Sequence, residues 1–244
     1  MTQPSQHTFL RTLLDEASRP FRGGGHFAYH YSRGKLSSDS IFHEMLKRGL
    51  LPAEARYLDL GCGQGSLFGW LLAARKLYES GYWPQDWPAA PKPLSLRGVE
   101  LMQKDVDRAA RAFGKDHPVV RIEQGDMNKV DFGQVDVVTI LDALHYFDHA
   151  HQKDVLRRIR AALPPGGLFL TRVGDASAGL PYHICNWVDH TVTFVRGHRL
   201  PRLYCRTLAE WVDLIKSFRF TVETDPMNEG KPFANVMLVC RVPA

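Results

Sequence analysis

A chain of 244 residues is long enough for one large hydrophobic core with a small cap, since single cores stop growing near ~250 to 300 residues. Its composition, 44% hydrophobic, 11% aromatic and 23% charged, excludes a disordered chain, and no run is apolar enough for a secretory leader or a membrane span, so a cytoplasmic protein is expected. The 31 Lys plus Arg against 26 Asp plus Glu leave +5, which admits acidic partners without identifying one, and Cys62, Cys185, Cys205 and Cys240 form no CxxC pair, which excludes a zinc ribbon or a disulfide framework.

Residues 5–18 place Phe9, Leu10, Leu13, Leu14 and Ala17 at helical spacing, followed by Pro20 and the flexible run Gly23, Gly24, Gly25. The stretch His26 to Leu36 mixes aromatics with Arg33 and Lys35, and Ser37, Ser38, Asp39 and Ser40 offer N-caps for a helix ending near Gly49. Residues 1–50 therefore read as an N-terminal helical cap, placed as a lid over a ligand site. From Arg56 apolar runs alternate with amphipathic segments, the pattern of βα units around a mostly parallel sheet, and residues 51–244 read as one domain. Strands are predicted near 56–61, 95–101, 119–124, 135–141, 167–173, 219–224 and 234–241, and helices near 65–79, 103–113, 150–162 and 207–218. Two insertions interrupt this order: 78–93, with Tyr82, Trp83, Trp87 and four prolines, too proline-rich for a regular element, and 174–206.

The run Tyr57-Leu58-Asp59-Leu60-Gly61-Cys62-Gly63-Gln64-Gly65 is an apolar strand leading into glycines and then a helix. Glycines there remove the Cβ atoms that would hold a ligand away and permit positive φ where the chain doubles back. An acidic residue, one residue, then GxGxG resembles the first motif of the class I S-adenosylmethionine-dependent methyltransferases. The GxGxxG of NAD enzymes needs a glycine where this chain has Ser66. The resemblance implies a Rossmann-like α/β fold, a seven-stranded, mostly parallel sheet with helices on both faces, and S-adenosyl-L-methionine as cofactor. It implies that Gly61, Gly63 and Gly65 line the cofactor and that Asp59 serves its ammonium and sulfonium. Glu100, ending the second strand, takes the ribose hydroxyls, and removing the insertion restores the usual interval from the glycine loop. Asp126 and Met127, after the third strand, take the adenine. The resemblance runs over about residues 55–173, including Ile140 to Phe147 and Leu163 to Gly167. The Asn/Asp-Pro-Pro-aromatic motif of adenine and cytosine N-methyltransferases is absent, as is a long basic tract, which argues against a nucleic-acid substrate.

Asn186 to Asp189, Arg196 to Arg202, Pro232 to Val236 and Ala28 to Lys35 resemble the methyltransferases of bacterial aryl-polyene, fatty-acid-synthase-like gene clusters. That resemblance implies a small or acyl-carrier-protein-bound acceptor, an aromatic or polyene acyl group methylated at oxygen or carbon. Arg196, Arg199, Arg202 and Arg206 then form either a docking surface for an acidic carrier protein or a solvated loop. Tyr182 and Trp187 have the position to line an acceptor pocket.

His145, just past the fourth strand, is either a general base or a packed side chain. Asp142 either meets the methionine amino group or pairs with Asp175 around a metal. Magnesium-dependent catechol methyltransferases have Asn where Ala176 stands, so no metal is expected, and His149 and His151 read as solvated. Arg33 and Lys35 are either clamps on the cofactor carboxylate or a solvated basic loop, Cys62 reads as packing, and Trp83 and Trp87 as a packed flap or a dimer contact. Two rivals stay open: an NAD-dependent oxidoreductase, and a methyltransferase-like module that binds without catalysis.

Overall fold

The computed structural model describes residues 5–179, 203–227 and 235–244. Seven strands form one sheet in the order β3-β2-β1-β4-β5-β7-β6. These are β1 (Glu54–Leu60), β2 (Lys92–Glu100), β3 (Val120–Gln124), β4 (Val137–Leu141), β5 (Leu168–Gly174), β6 (Thr221–Pro226) and β7 (Asn235–Arg241). The β1–β2, β2–β3 and β4–β5 pairs are parallel, and β7 runs antiparallel to both β5 and β6. This is the mostly parallel, Rossmann-like sheet expected. The chain divides into two compact units, Met1–Val130 and Asp131–Ala244.

In the first unit, α1 (Gln6–Ser18) starts at Ser5, whose Oγ accepts from Thr8 N, and it buries Phe9, Leu13 and Ala17, four residues apart and therefore on one face. That face lies on α4 (Ser66–Glu79) so closely that a Cβ at Gly69 would stand 2.7 Å from the Ala17 carbonyl oxygen. The aromatic and basic stretch His26 to Leu36, read as part of the helical cap without an element of its own, lies within one regular helix, α2 (His26–Ser38). Its own stripe is weak, but Ala28, Ser32 and Leu36 are buried at i, i+4 and i+8. Of the Ser37 to Ser40 cluster, Ser37 and Ser38 end α2, and Asp39 and Ser40 precede α3 (Ile41–Lys47) as expected: Asp39 Oδ1 accepts from Ile41 N at 3.3 Å, while Ser40 gives no side-chain cap. The proline-rich insertion is shorter than predicted, because α4 runs to Glu79 and β2 starts at Lys92. Its Trp83 and Trp87 rings meet Phe9 of α1 edge-on at 5.2 and 5.3 Å, so this segment is a packed flap. Helix α5 (Gln103–Phe113) spans the predicted residues.

In the second unit, β4 is buried at all five positions, the expected pattern for a parallel strand covered on both faces. Helix α6 (His149–Ala162) is capped by Asp148, whose carboxylate accepts from Ala150 N and His151 N. Helix α7 (Leu208–Ser217) is started by a reciprocal Thr207 and Glu210 capping box. An isolated bridge joins Asp175 to Arg206, with Ala176 N donating to the Arg206 carbonyl at 3.1 Å. Among the described residues no helix is long and apolar enough to cross a membrane.

Candidate functional site

The first unit gathers the glycine loop, Glu100 and Asp126 at the carboxyl ends of β1, β2 and β3, the edge where open α/β sheets bind ligands. Gly61, Gly63 and Gly65 all have positive φ, +76°, +58° and +84°. Gly65 has no room for a side chain either, since a Cβ would lie 2.7 Å from Ile122 Cδ1 and 2.9 Å from the Phe113 ring. A Cβ at Gly63 would have nothing within 4 Å. The loop is therefore packed at its third glycine and open at its second, which leaves a cradle.

Glu100 completes the cradle. Its Oε2 accepts from Gly63 N at 2.8 Å and its Oε1 from Met102 N at 2.9 Å, so both oxygens are aimed by backbone while each keeps a further lone pair. Leu101, the next residue, is 59% exposed, an aliphatic surface beside a carboxylate that is itself 7% exposed. Gly125 N donates to the Glu100 carbonyl at 3.0 Å, which ties the end of β3 to β2. Asp126 Oδ1 accepts from Asn128 N and Asn128 Nδ2 in a side-chain turn, while Met127 is buried. Asp59 is buried inside β1. Burial, with the Asp59 and Glu100 carboxylates adding to it, pushes the Cys62 thiol well above its usual range, so it stays protonated at neutral pH. Cys62 Sγ also explains Gly98, where a Cβ would approach it to 2.6 Å.

Arg33 ties α2 to α1: Nη1 pairs with Asp15 Oδ1 at 2.6 Å and donates to Ser18 Oγ at 3.1 Å. This guanidinium, read as either a clamp on a cofactor carboxylate or part of a solvated basic loop, is thus engaged within the cap.

In the second unit, Asp142 takes positive φ, +61°, directly after β4, a conformation Asp tolerates better than most side chains. Its carboxylate forms a two-point ion pair with the Arg172 guanidinium of β5, with Nε donating to Oδ1 at 2.6 Å. Arg172 is 8% exposed, so Asp142, read as meeting either the methionine amino group or a metal, faces a buried guanidinium while 32% of its own side chain stays exposed. Asp175, its supposed metal partner, accepts from Ser177 N, Ser177 Oγ and Leu208 N. Although burial raises its pKa, those donors leave it below the usual carboxylate range. No group of three or more His, Cys, Asp or Glu among the described residues could hold a metal ion.

For His145, read as either a general base or a packed side chain, burial lowers the pKa to about 4, outweighing the upward pull of Asp142, so the ring is neutral at pH 7 and a weak base. Gln152, fully buried on α6, fixes the segment around it. Its amide donates to the carbonyls of Leu144, Phe147 and Tyr204, its Oε1 accepts from Arg206 Nε at 2.8 Å, and Tyr204 N donates to the His145 carbonyl. Tyr182, Trp187, Arg196, Arg199 and Arg202 lie outside the described residues. Arg206, the fourth member of the expected basic patch, is engaged by Gln152 and lies over the Trp211 ring at 5.6 Å.

Sequence reading gave no role to three residues of these surroundings: Leu101 beside Glu100, Arg172 against Asp142, and Gln64, whose buried amide donates from the glycine loop to Ala28 O and Ser32 Oγ of α2. The only signal for the first was an apolar residue directly after a strand-end carboxylate. For the other two there was none, since β5 reads as a buried strand and Gln64 as a variable loop position.

Residues 58–169 match the family model described as a methyltransferase domain. The chain is 29% identical over 118 residues to the carboxy-S-adenosyl-L-methionine synthase of Chromohalobacter salexigens, a match over 48% of this chain and 38% of that protein. It thus spans well under half the length of that curated relative. Among solved structures it is similar to an S-adenosylmethionine-dependent methyltransferase from Mesorhizobium loti, with TM-score 0.56 and 22% identity over 80% of this chain and 94% of that one. It is also similar to the magnesium protoporphyrin IX methyltransferase of Synechocystis PCC 6803 with bound SAH, with TM-score 0.57 and 15% identity over 93% of both chains. At such identities these structures speak for the fold.

Proposed function

We propose that this chain, whose residues 58–169 match a family model described as a methyltransferase domain, transfers the methyl group of S-adenosyl-L-methionine to oxygen or an activated carbon of a small or carrier-bound acyl acceptor, aromatic or polyene in character. The observation that carries the cofactor reading is Glu100, a carboxylate aimed by Gly63 N and Met102 N at the mouth of a three-glycine loop. Two free lone-pair positions suit two vicinal hydroxyls, and the exposed Leu101 beside them supplies an apolar platform for a purine. The curated relative is named for making a carboxylated derivative of S-adenosyl-L-methionine, and this likeness supports a ligand of that chemical class.

In this reading Glu100 binds the ribose, Leu101, Asp126 and Met127 bound the adenine, and Gly61, Gly63 and Gly65 let the backbone approach the remainder, with Asp59 the nearest buried carboxylate on β1. The bound cofactor supplies a methyl already activated on a sulfonium, so alignment and exclusion of water are the protein's main contributions. His145, neutral at pH 7, serves as a hydrogen-bond acceptor that orients an acceptor hydroxyl, because a ring with a pKa of about 4 is a poor store for a phenolic proton. The carrier-bound acceptor rests on the resemblance of residues 186–189 and 196–202 alone.

Titration calorimetry tests the cofactor site. S-adenosylhomocysteine binds and NAD does not, and Glu100→Ala loses about 1.5–3 kcal/mol of that affinity, the usual scale for a hydrogen-bonded charged partner. Binding of NAD in place of S-adenosylhomocysteine would overturn the proposal. Mass spectrometry of a strain lacking the protein, searching for metabolites lighter by one methyl, identifies the acceptor.

A further inference from the structure

Resting on that cofactor reading, we propose that Gln64 is a positioning residue that couples the seating of helix α2 to the ribose carboxylate Glu100. Gln64 is 1% exposed although it lies in the ligand loop, between two glycines of positive φ. Its Nε2 donates to the Ala28 carbonyl and to Ser32 Oγ, both at 2.6 Å, and Ser32 Oγ shares a 2.8 Å hydrogen bond with Ser66 Oγ at the start of α4. Ala28 and Ser32 are one turn apart on the buried stripe of α2. The amide therefore joins the cap to the loop at two points, and the serine pair joins the cap to the helix that the loop leads into.

The neighbouring peptide carries the connection onward. Gly63 N, one residue before Gln64, donates to Glu100 Oε2 at 2.8 Å. Gly65, one residue after, is wedged against Ile122 and Phe113, so the loop has no freedom to yield on that side. A displacement of Gln64 must then appear at Gly63, the side where the loop is open, and reach the oxygen that meets the ribose. The N-terminal end of α2, just before Ala28, is also anchored on α5, which follows Glu100 in the chain. A Cβ at Gly24 would stand 3.1 Å from the Arg108 carbonyl oxygen, and the Arg108 guanidinium lies 4.3 Å over the Phe27 ring.

The amide has a cost that an apolar residue would avoid. Gln64 Oε1 is buried with no hydrogen-bond partner among the described residues, and an unmatched acceptor is destabilising where a methionine of the same length would not be. What the amide provides in exchange is direction: two short donor bonds specify one position of α2 relative to the loop, whereas apolar packing tolerates sliding.

The test is a binding cycle on the full chain, with S-adenosylhomocysteine and with an analogue lacking both ribose hydroxyls. Gln64→Met should weaken binding of the former about tenfold and of the latter hardly at all, and its effect should largely vanish in a Glu100→Ala background. A loss of affinity that is equal for both ligands, or that adds fully to the loss from Glu100→Ala, overturns the coupling and reduces Gln64 to packing. Should Gln64→Met fail to fold, Ser32→Ala, which removes one donor bond and leaves the Ala28 bond, is run through the same cycle with a smaller expected effect of about threefold. Unchanged affinity in Glu100→Ala alone has a separate meaning: it overturns the cofactor-site reading on which the coupling stands.

Discussion

Glu100 and Asp142 occupy equivalent places, each a carboxylate at or just past the carboxyl end of a parallel strand, yet their surroundings make them opposite kinds of group. Glu100 is held by two backbone N–H groups, which orient it and, in the proposed cofactor reading, leave its charge to be met by a ligand. Asp142 is held by Arg172, which takes both oxygens and cancels the charge. Backbone donors are partial dipoles that cannot satisfy a full charge, whereas a guanidinium can. A carboxylate at a strand end is thus a ligand site or a structural strut according to what stands behind it.

Arg172→Met is the strongest way to break this contrast. Removing the buried partner leaves Asp142 an uncompensated charge, and a loss of about 3 kcal/mol is expected, at the low end of the range for a broken buried pair because Asp142 keeps contact with water. Thermal unfolding should fall by roughly 6–12 °C, and a melting temperature within ~1 °C of wild type would mean that Asp142 is as free as Glu100.

A nearly equal effect is expected on acidification. The folded-state pKa of His145 lies below its ordinary value, so its contribution is fully present above pH ~6.5 and is lost as pH falls toward about 4, where the folded protein also takes up the proton. The integrated loss is about 3 kcal/mol. Denaturant unfolding at a series of pH values should show that limb in wild type and its absence in His145→Gln; parallel curves for the two proteins would place the ring in contact with water.

A smaller effect sharpens the contrast from the other side, by testing how closely the Glu100 region is packed. Gly98→Ala sets a methyl 2.6 Å from Cys62 Sγ and should cost roughly 1–3 kcal/mol, most of it regained in Gly98→Ala with Cys62→Ala. Additive losses in that pair would show that the clash lies elsewhere, with Ile122 or Phe68, each 3.1 Å from the same position.

Residues 54–60, 66–79, 103–113 and 137–141 adopt the elements their patterns predict, because short apolar runs, helical period and strand-to-helix glycines are properties of neighbouring residues in the chain. The glycine loop was legible for the same reason: positive φ and close approach are demands on individual residues. Helix α2 was not, since its stripe is only Ala28, Ser32 and Leu36 and its helicity depends on the surface that buries them. The state of His145, the neutralisation of Asp142 by a residue 30 positions away, and the link from Gln64 to α2 were beyond sequence reading as well. Each depends on which polar groups the fold brings within about 3 Å and how much water it removes around them, and both are set by contacts between segments distant in the chain.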